Sequence, residues 1–211
     1  MNLSLLQLKL NISETMIKHS VLIFFILCTT SAIAQNEWGL KKDAQGIKIY
    51  TRSVNDSPIK EYKATTLLNS SIDKVLSELL NAPQYTDDCE AGQSFYVTRR
   101  GKNQHVFYAR KELPWPVRNR DIVTLLTVQK ISATKVKLHL ESLPEGIPEK
   151  EKTIRIKELM GFWLLEEENG KTKVTQQLYL NPEGSLPSAI TNALLIKGPF
   201  KTFTELQKAT K

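Results

Sequence analysis

Residues 113–121 read LPWPVRNRD and run directly into the apolar segment IVTLLTV at residues 122–128. The prolines on either side of Trp115 exclude a helix and a central strand, because proline has no N–H to donate and biases the residue before it towards extended geometry. We therefore expect a rigid extended elbow. Arg120 and Asp121 then stand where the chain enters the core, and buried charges persist there only when they are paired and hydrogen-bonded.

The segments around the elbow carry the patterns of a mostly antiparallel sheet. Apolar alternation and turn residues predict strands at residues 46–52, 58–68, 94–100, 104–112, 120–130, 134–141, 153–166 and 172–180. Asn169-Gly170 joins the last two and is the strongest short-range hairpin signal. Ser70 and Asp73 form a capping box before a short amphipathic helix, and a final helix begins near Ser185. This order predicts an α+β fold with the sheet covered on one side.

The N-terminal 34 residues have the pattern of a secretory signal peptide. Lys18 provides a basic start before the short apolar run at residues 21–27, and the small residues Ala32 and Ala34 fit cleavage after position 34. A membrane anchor would need about 20 apolar residues, which is longer than this run. An uncleaved anchor is the alternative.

Cleavage would leave a single domain, residues 35–211, that is exported to the periplasm or secreted. Met16 is the expected first residue, since residues 1–15 look like an upstream extension. Removal of Cys28 would leave Cys89 alone, so stability must come from packing and not from an intrachain disulfide. The formal net charge of +7 suits an anionic partner, and export favours a membrane surface over nucleic acid.

The elbow and three further stretches resemble the START (StAR-related lipid-transfer) domain family. In that family a proline-rich turn ending in Arg-Asp leads into a central strand of a curved sheet. The other matching stretches are EWGL at 37–40 before GIKIY at 46–50, GFWL at 161–164, and PEGSLP at 182–187 before a final helix. They occur in family order over residues 37–207.

This resemblance implies a helix-grip fold, in which a curved antiparallel sheet wraps around a long C-terminal helix and leaves an internal apolar cavity. Ile190 and Leu194 of that helix would then line a ligand chamber, whereas periodicity alone also fits a helix that closes a packed core. Gly198-Pro199 should kink the helix or end it.

The proline-rich segment at residues 141–150 connects two predicted strands and carries the apolar Leu143 and Ile147. In START-like proteins the corresponding loop forms a lid with the last helix, and a solvated loop is the alternative. Four cations follow or end this loop: Lys150, Lys152, Arg155 and Lys157. They would hold the lid near anionic head groups, unless they form the solvated face of a strand.

Polar residues within the predicted chamber would determine the ligand. Arg120, and to a lesser degree Arg118, would bind a phosphate or carboxylate as a bidentate fork. The alternative, which we favour, is that Arg120 and Asp121 pin the elbow to the sheet. His139 and Gln176 lie in apolar strand patterns and would each offer a hydrogen bond, although a satisfied core histidine is the alternative for His139.

Sterol-binding family members pair an acidic residue before the elbow with an arginine after it. This chain has Arg110 near the first position and no arginine in residues 125–128. A sterol ligand is therefore not implied by the resemblance.

We expect a monomer that binds one lipid or other hydrophobic molecule and carries it without chemistry, with no cofactor and no metal, and with transient contact with an anionic membrane surface. The predicted ligand-binding residues are Phe107, Trp115, Arg118, Arg120, His139, Leu143, Ile147, Gln176, Ile190 and Leu194. Two alternatives remain open. One is a cavity enzyme related to cyclases and hydratases of the helix-grip superfamily, with His139 or Glu112 as the residue to test. The other is a protein-interaction module whose cavity is filled by its own side chains.

Overall fold

The computed structural model describes residues 37–54, 57–81, 92–184 and 186–211. The expected signal peptide lies outside these ranges, as do residues 55–56 between the first two predicted strands. Within them the elements are β1 Gly39–Ala44, β2 Ile47–Val54, β3 Ser57–Leu68, α1 Ile72–Leu80, β4 Gly92–Arg100, β5 Gln104–Lys111, β6 Asn119–Ser132, β7 Lys135–Ser142, a 3-10 turn Pro144–Gly146, β8 Thr153–Arg155, β9 Glu158–Glu168, β10 Lys171–Asn181 and α2 Ser188–Ala209.

The described strands form one curved sheet in the order β1-β2-β3-β10-β9-β7-β6-β5-β4, and β8 pairs with β6 outside this path. Every pairing is antiparallel except that of β8, which lies parallel to the start of β6. The single strand predicted at residues 153–166 is therefore wrong. A break at Ile156-Lys157 separates β8 from β9, so that β8 pairs with β6 while β9 pairs with β7 and β10.

One face of the sheet, here called the inner face, carries α2 and is apolar. Successive side chains of a strand point to opposite faces, and on this face Ile49, Leu138 and Leu165 are fully buried. The second half of α2 packs against them through Phe203, whose ring stacks on that of Trp163 with the centroids 5.4 Å apart. The predicted α+β fold, a sheet around a C-terminal helix, is confirmed.

The final helix continues through Pro199, so of the two expected outcomes the one in which the helix ends there is wrong, and a kink stays a prediction. Proline cannot donate to the carbonyl of Leu195, and one helical hydrogen bond is lost. Phe203 and Leu206 lie beyond the proline and are fully buried. Burial of side chains of this size stabilises by about 1.5–3 kcal/mol each, enough to hold the helix past one missing bond.

Two local signals can be compared directly with the structure. Asn169-Gly170 forms the turn of the β9–β10 hairpin with φ of 54° and 75°, as that dipeptide predicts. The N-cap predicted at Ser70 is wrong by one residue. Ser71 precedes α1 in the structure, and the Oγ of Ser71 accepts from the Lys74 N–H at 3.3 Å. In the part of the chain that is described, neither helix is long and apolar enough to span a bilayer.

Candidate ligand-binding site

Strands β5 and β6 separate two apolar clusters. Their inner-face side chains, which include Phe107, Ala109 and Ile122, join the core that packs against α2. On the opposite, outer face a second cluster consists of Val106, Tyr108, Val123 and Leu125. Each side chain of these two strands therefore faces either the core that packs against α2 or the outer cluster.

Along β10 the inner face changes from fully buried to partly buried residues. Val174 of β10 is fully buried, whereas Leu178 and Leu180 further along the same face of this strand are only partly buried. Phe107 and Ala109 of β5 are also partly buried against the same core. We call these four partly buried residues the open end. Other apolar residues of the same core, among them Leu76 of α1 and Val128 of β6, are also only partly buried.

The first half of α2 has the same partial burial. Leu195 and Ile196 in this half, and Phe200 just after Pro199, lie against the core without being fully covered, in contrast to Phe203 and Leu206 further along. Ile190 and Leu194, both predicted to line a chamber, are partly buried in this first half. Incomplete packing of apolar side chains forfeits contacts that a bound apolar molecule would restore.

A buried polar pair lies on the inner face beside this loosely packed region. The Tyr62 hydroxyl donates to Oε1 of Gln176 at 2.8 Å, and the two side chains are 8% and 7% exposed. Burial raises the pKa of Tyr62, so its hydroxyl stays protonated and remains a donor. The predicted inward position of Gln176 is confirmed. Tyr62 was not predicted, although its alternation with Ala64 on β3 indicates the same face.

Arg120 is also buried, at 5% exposure, and its guanidinium donates to backbone carbonyls. Nε bonds to Pro182 O at 3.2 Å, Nη2 bonds to Glu183 O at 3.1 Å, and Nη1 bonds to Arg118 O. Burial and the charge of Arg118 lower the pKa of Arg120. These contacts tie the elbow to the turn before α2, which fits the pinning interpretation.

Asp121 is paired with Arg155 and not with its neighbour Arg120. The Arg155 Nε lies 2.8 Å from Oδ1 and Nη2 lies 3.1 Å from Oδ2, and both side chains are 1% exposed. The Tyr108 hydroxyl donates to Oδ2 at 3.2 Å. Burial, with the charge of Asp121, raises the pKa of Tyr108 to about 12. Both interpretations of Arg155, as a lid-edge cation and as part of a solvated strand face, are wrong.

The loop after β7 lies on the outer face. Leu143 and Ile147 pack against the outer cluster, and Arg155 donates to the Ile147 carbonyl at 3.1 Å and to the Pro148 carbonyl at 3.2 Å. A Cβ on Gly146 would lie 2.7 Å from Val123 Cγ1, so the loop approaches β6 as closely as glycine permits. The prediction that Leu143 and Ile147 form a lid with α2 is wrong, because the sheet lies between this loop and α2.

Two residues nominated for cavity chemistry lie at the surface. His139 is exposed between the buried Leu138 and Leu140, and its Nε2 is 2.9 Å from Gln129 Oε1. The alternation that buries its neighbours directs His139 to the outer face, so both its predicted cavity position and the alternative of a satisfied core histidine are wrong. Glu112 is exposed beside the elbow, and its side chain is 53% accessible.

The elbow presents Trp115 to solvent. This side chain is 92% exposed, and Arg118 nearby is also exposed. The Val117 N–H donates to the Pro114 carbonyl at 3.0 Å, which closes a tight turn beneath the tryptophan. The predictions that Trp115 and Arg118 line the cavity are wrong, because the prolines hold both residues outside the sheet.

Of the ten predicted ligand-binding residues, the structure places Phe107 and Gln176 on the inner face and Arg120 at its edge, while Ile190 and Leu194 are partly buried in the first half of α2. It places the other five on the outer face or on the elbow. Across the described ranges there is no group of three or more His, Cys, Asp or Glu side chains that could hold a metal ion.

Comparison with known proteins yields a consistent set of relatives. The START domain family model matches residues 27–211. An uncharacterized protein of Pseudomonas aeruginosa is 30% identical over 185 residues, which cover 86% of this chain and 90% of that protein. Phosphatidylcholine transfer protein of Rattus norvegicus is 26% identical over 167 residues, 76% of this chain and 78% of that protein.

A solved structure supports the same relationship. The crystal structure of a fragment of the STAR-related lipid transfer protein from Xanthomonas axonopodis superimposes with a TM-score of 0.71 at 31% sequence identity. The match covers 81% of this chain and 97% of that fragment. The ten-stranded curved sheet with its C-terminal helix is thus a START-like fold.

Proposed function

The chain belongs to the START domain family, and from this premise we propose that it binds one lipid or other hydrophobic molecule at the open end and carries it without chemistry. The observation that carries the proposal is the uneven packing of the inner face. Phe107, Ala109, Leu178 and Leu180 remain partly uncovered on the side of the sheet that holds α2. Two relatives are named as lipid transfer proteins, which supports the same ligand class.

Burial of apolar surface would supply most of the binding free energy. At about 25 cal/mol per Å² of surface removed from water, an acyl chain needs no ion pair to bind tightly. The polar groups of the inner core, Tyr62 and Gln176, would orient the ligand. Binding and release of a lipid in this way require no cofactor and no metal. We propose that the carrier acts as a monomer.

Lipid exchange would require transient contact with a membrane, and we assign this contact to the elbow. Trp115 is almost fully exposed, and its rigid amphipathic ring suits the head-group region of a bilayer. Arg118 is exposed close by and would add about 1 kcal/mol of attraction to an anionic surface. The signal-like N-terminus further supports a proposal that the protein works after export, in the periplasm or outside the cell.

A vesicle assay tests both parts of this proposal. Purified protein would be mixed with donor vesicles that contain phosphatidylglycerol and a labelled phospholipid, and transfer to unlabelled acceptor vesicles would be recorded. We expect transfer proportional to protein concentration, and slower transfer by Trp115→Ala. Met160→Ala is the matched control, because Met160 is a 58% exposed apolar residue on β9, away from the elbow.

The outcomes separate carriage from membrane docking. No transfer and no bound lipid with the unaltered protein would contradict the carrier proposal. Transfer that is equally fast in Trp115→Ala and Met160→Ala would retain the carrier and reject the elbow as its membrane contact.

A further inference from the structure

Gln176 has a hydrogen-bonding capacity that the fold does not use. Its Oε1 accepts from Tyr62, while its Nε2 has no partner among the described residues. Nε2 is also absent from the fully enclosed unpartnered atoms of the described side chains, which are Glu78 Oε2 and Arg110 Nε. The described residues therefore leave the amide N–H groups of Gln176 without an acceptor.

Tyr62 fixes which end of the amide is left without a partner. A buried tyrosine hydroxyl needs an acceptor, and the Gln176 oxygen supplies it at 2.8 Å. With the oxygen occupied, the group left to face a ligand is the NH₂, which can only donate. A ligand at this point must therefore bring an acceptor.

The surroundings of Gln176 select an uncharged acceptor. Its cross-strand neighbours are Ala64 on β3 and Trp163 on β9, and Val174 and Leu178 flank it on the same face of β10. None of these four side chains carries a charge. A phosphate held here would be desolvated without a cation beside it, which is costly, whereas a carbonyl oxygen needs only a single donor.

We propose that Gln176, oriented by Tyr62, is the polar anchor of the chamber and donates its amide N–H to the ester carbonyl of an acyl lipid. This inference rests on the proposed function and specifies its ligand. It assigns the ester linkage to the middle of the inner face, between the tightly packed region and the open end. Charged head groups would then lie outside this part of the chamber.

A competition between two matched lipids tests the anchor. Vesicles would contain equal amounts of dioleoyl phosphatidylglycerol and its dialkyl ether analogue, which lacks both ester carbonyls, and the lipids extracted by the protein would be quantified by mass spectrometry. The ratio of diester to diether does not depend on how much protein is folded. We expect the unaltered protein to favour the diester by roughly 2- to 12-fold, the range of one neutral hydrogen bond.

Two substitutions localise that preference. Gln176→Met keeps the side-chain size and removes the donor, and we expect its ratio to fall to about one. Gln177→Met is the control, because Gln177 points to the outer face, where its Nε2 donates to Glu61 Oε2 at 2.8 Å. Its ratio should equal that of the unaltered protein.

Each result decides a different point. Equal extraction of both lipids by the unaltered protein, or an unchanged preference in Gln176→Met, would overturn the anchor while leaving the carrier intact. Extraction of neither lipid, with no other bound lipid, would overturn the proposed function and the anchor with it.

Discussion

The outer cluster and the open end share strand β5 and differ in how completely their groups are satisfied. On the outer face, Asp121, Arg155 and Tyr108 form a closed set of hydrogen bonds beneath a loop that glycine allows to approach closely. On the inner face, Phe107 and Ala109 are apolar and only partly covered. The difference suggests that the outer face of β5 maintains the fold, while its inner face belongs to the ligand site that we propose.

The largest loss of stability is expected when one side chain of the buried Asp121–Arg155 pair is removed. Arg155→Ala should lower the free energy of unfolding by about 3–5 kcal/mol, because it leaves the Asp121 carboxylate buried without a cation and frees the loop carbonyls. Lys157→Ala, at an exposed cation two residues away, should change it by no more than about 0.5 kcal/mol. Urea unfolding measures the free energy of unfolding of both variants. Small losses of similar size in the two would show that the Asp121–Arg155 pair does not stabilise the outer face.

A pair of alanines compares the two ends of the inner face. Ala64 is fully buried in the tightly packed region, so Ala64→Leu should cost about 1–3 kcal/mol of stability through overpacking. Ala109→Leu adds the same atoms at the open end and should be tolerated within about 0.5 kcal/mol. Thermal unfolding compares the two variants, and an equal cost at both positions would mean that the open end is already filled.

The loop on the outer face provides a smaller contrast. Ile147→Ala should lower stability by about 1 kcal/mol, because the side chain is only partly buried against the outer cluster. The rate of lipid exchange from vesicles should not change, since the sheet separates this loop from the chamber. Faster exchange in Ile147→Ala would restore the lid interpretation that the structure contradicts.

Alkaline pH should weaken the outer cluster through Tyr108. Its pKa of about 12 in the folded protein lies above the value of about 10 in an unfolded chain. The contribution is fully present below pH 10 and is lost as the pH rises towards 12, where the unfolded chain releases the proton first. Tyr108→Phe should flatten the fall in stability between pH 10 and 12, and an unchanged slope would assign that fall to other groups such as Tyr62.

Local signals predicted much of the fold. The elbow follows from two prolines, the β9–β10 hairpin from Asn169-Gly170, and the α+β class from the order of strands and helices. Each of these features depends on residues that are close in the sequence. Even the error at His139 was avoidable, because the alternation that assigns Leu138 to the core assigns its neighbour to the outer face.

The partners of the buried charges could not be predicted in this way. Asp121 and Arg155 are 34 residues apart, and they meet because β8 leaves the path of the sheet to pair in parallel with β6. No periodicity in residues 153–166 shows where the strand changes partners. The position of Leu143 and Ile147 depends on the same crossing, which is why a family resemblance alone placed their loop on the wrong side.

The most direct test of the central claim is native mass spectrometry of the protein purified from its own cells, beside Ala109→Leu and Ile147→Ala. We predict one stoichiometric lipid in the unaltered protein and in Ile147→Ala, and its loss from folded Ala109→Leu, because the added side chain occupies the open end. An unaltered protein that is empty and refuses added lipids, or a folded Ala109→Leu that keeps its lipid in full, would contradict the assignment of ligand binding to the inner face.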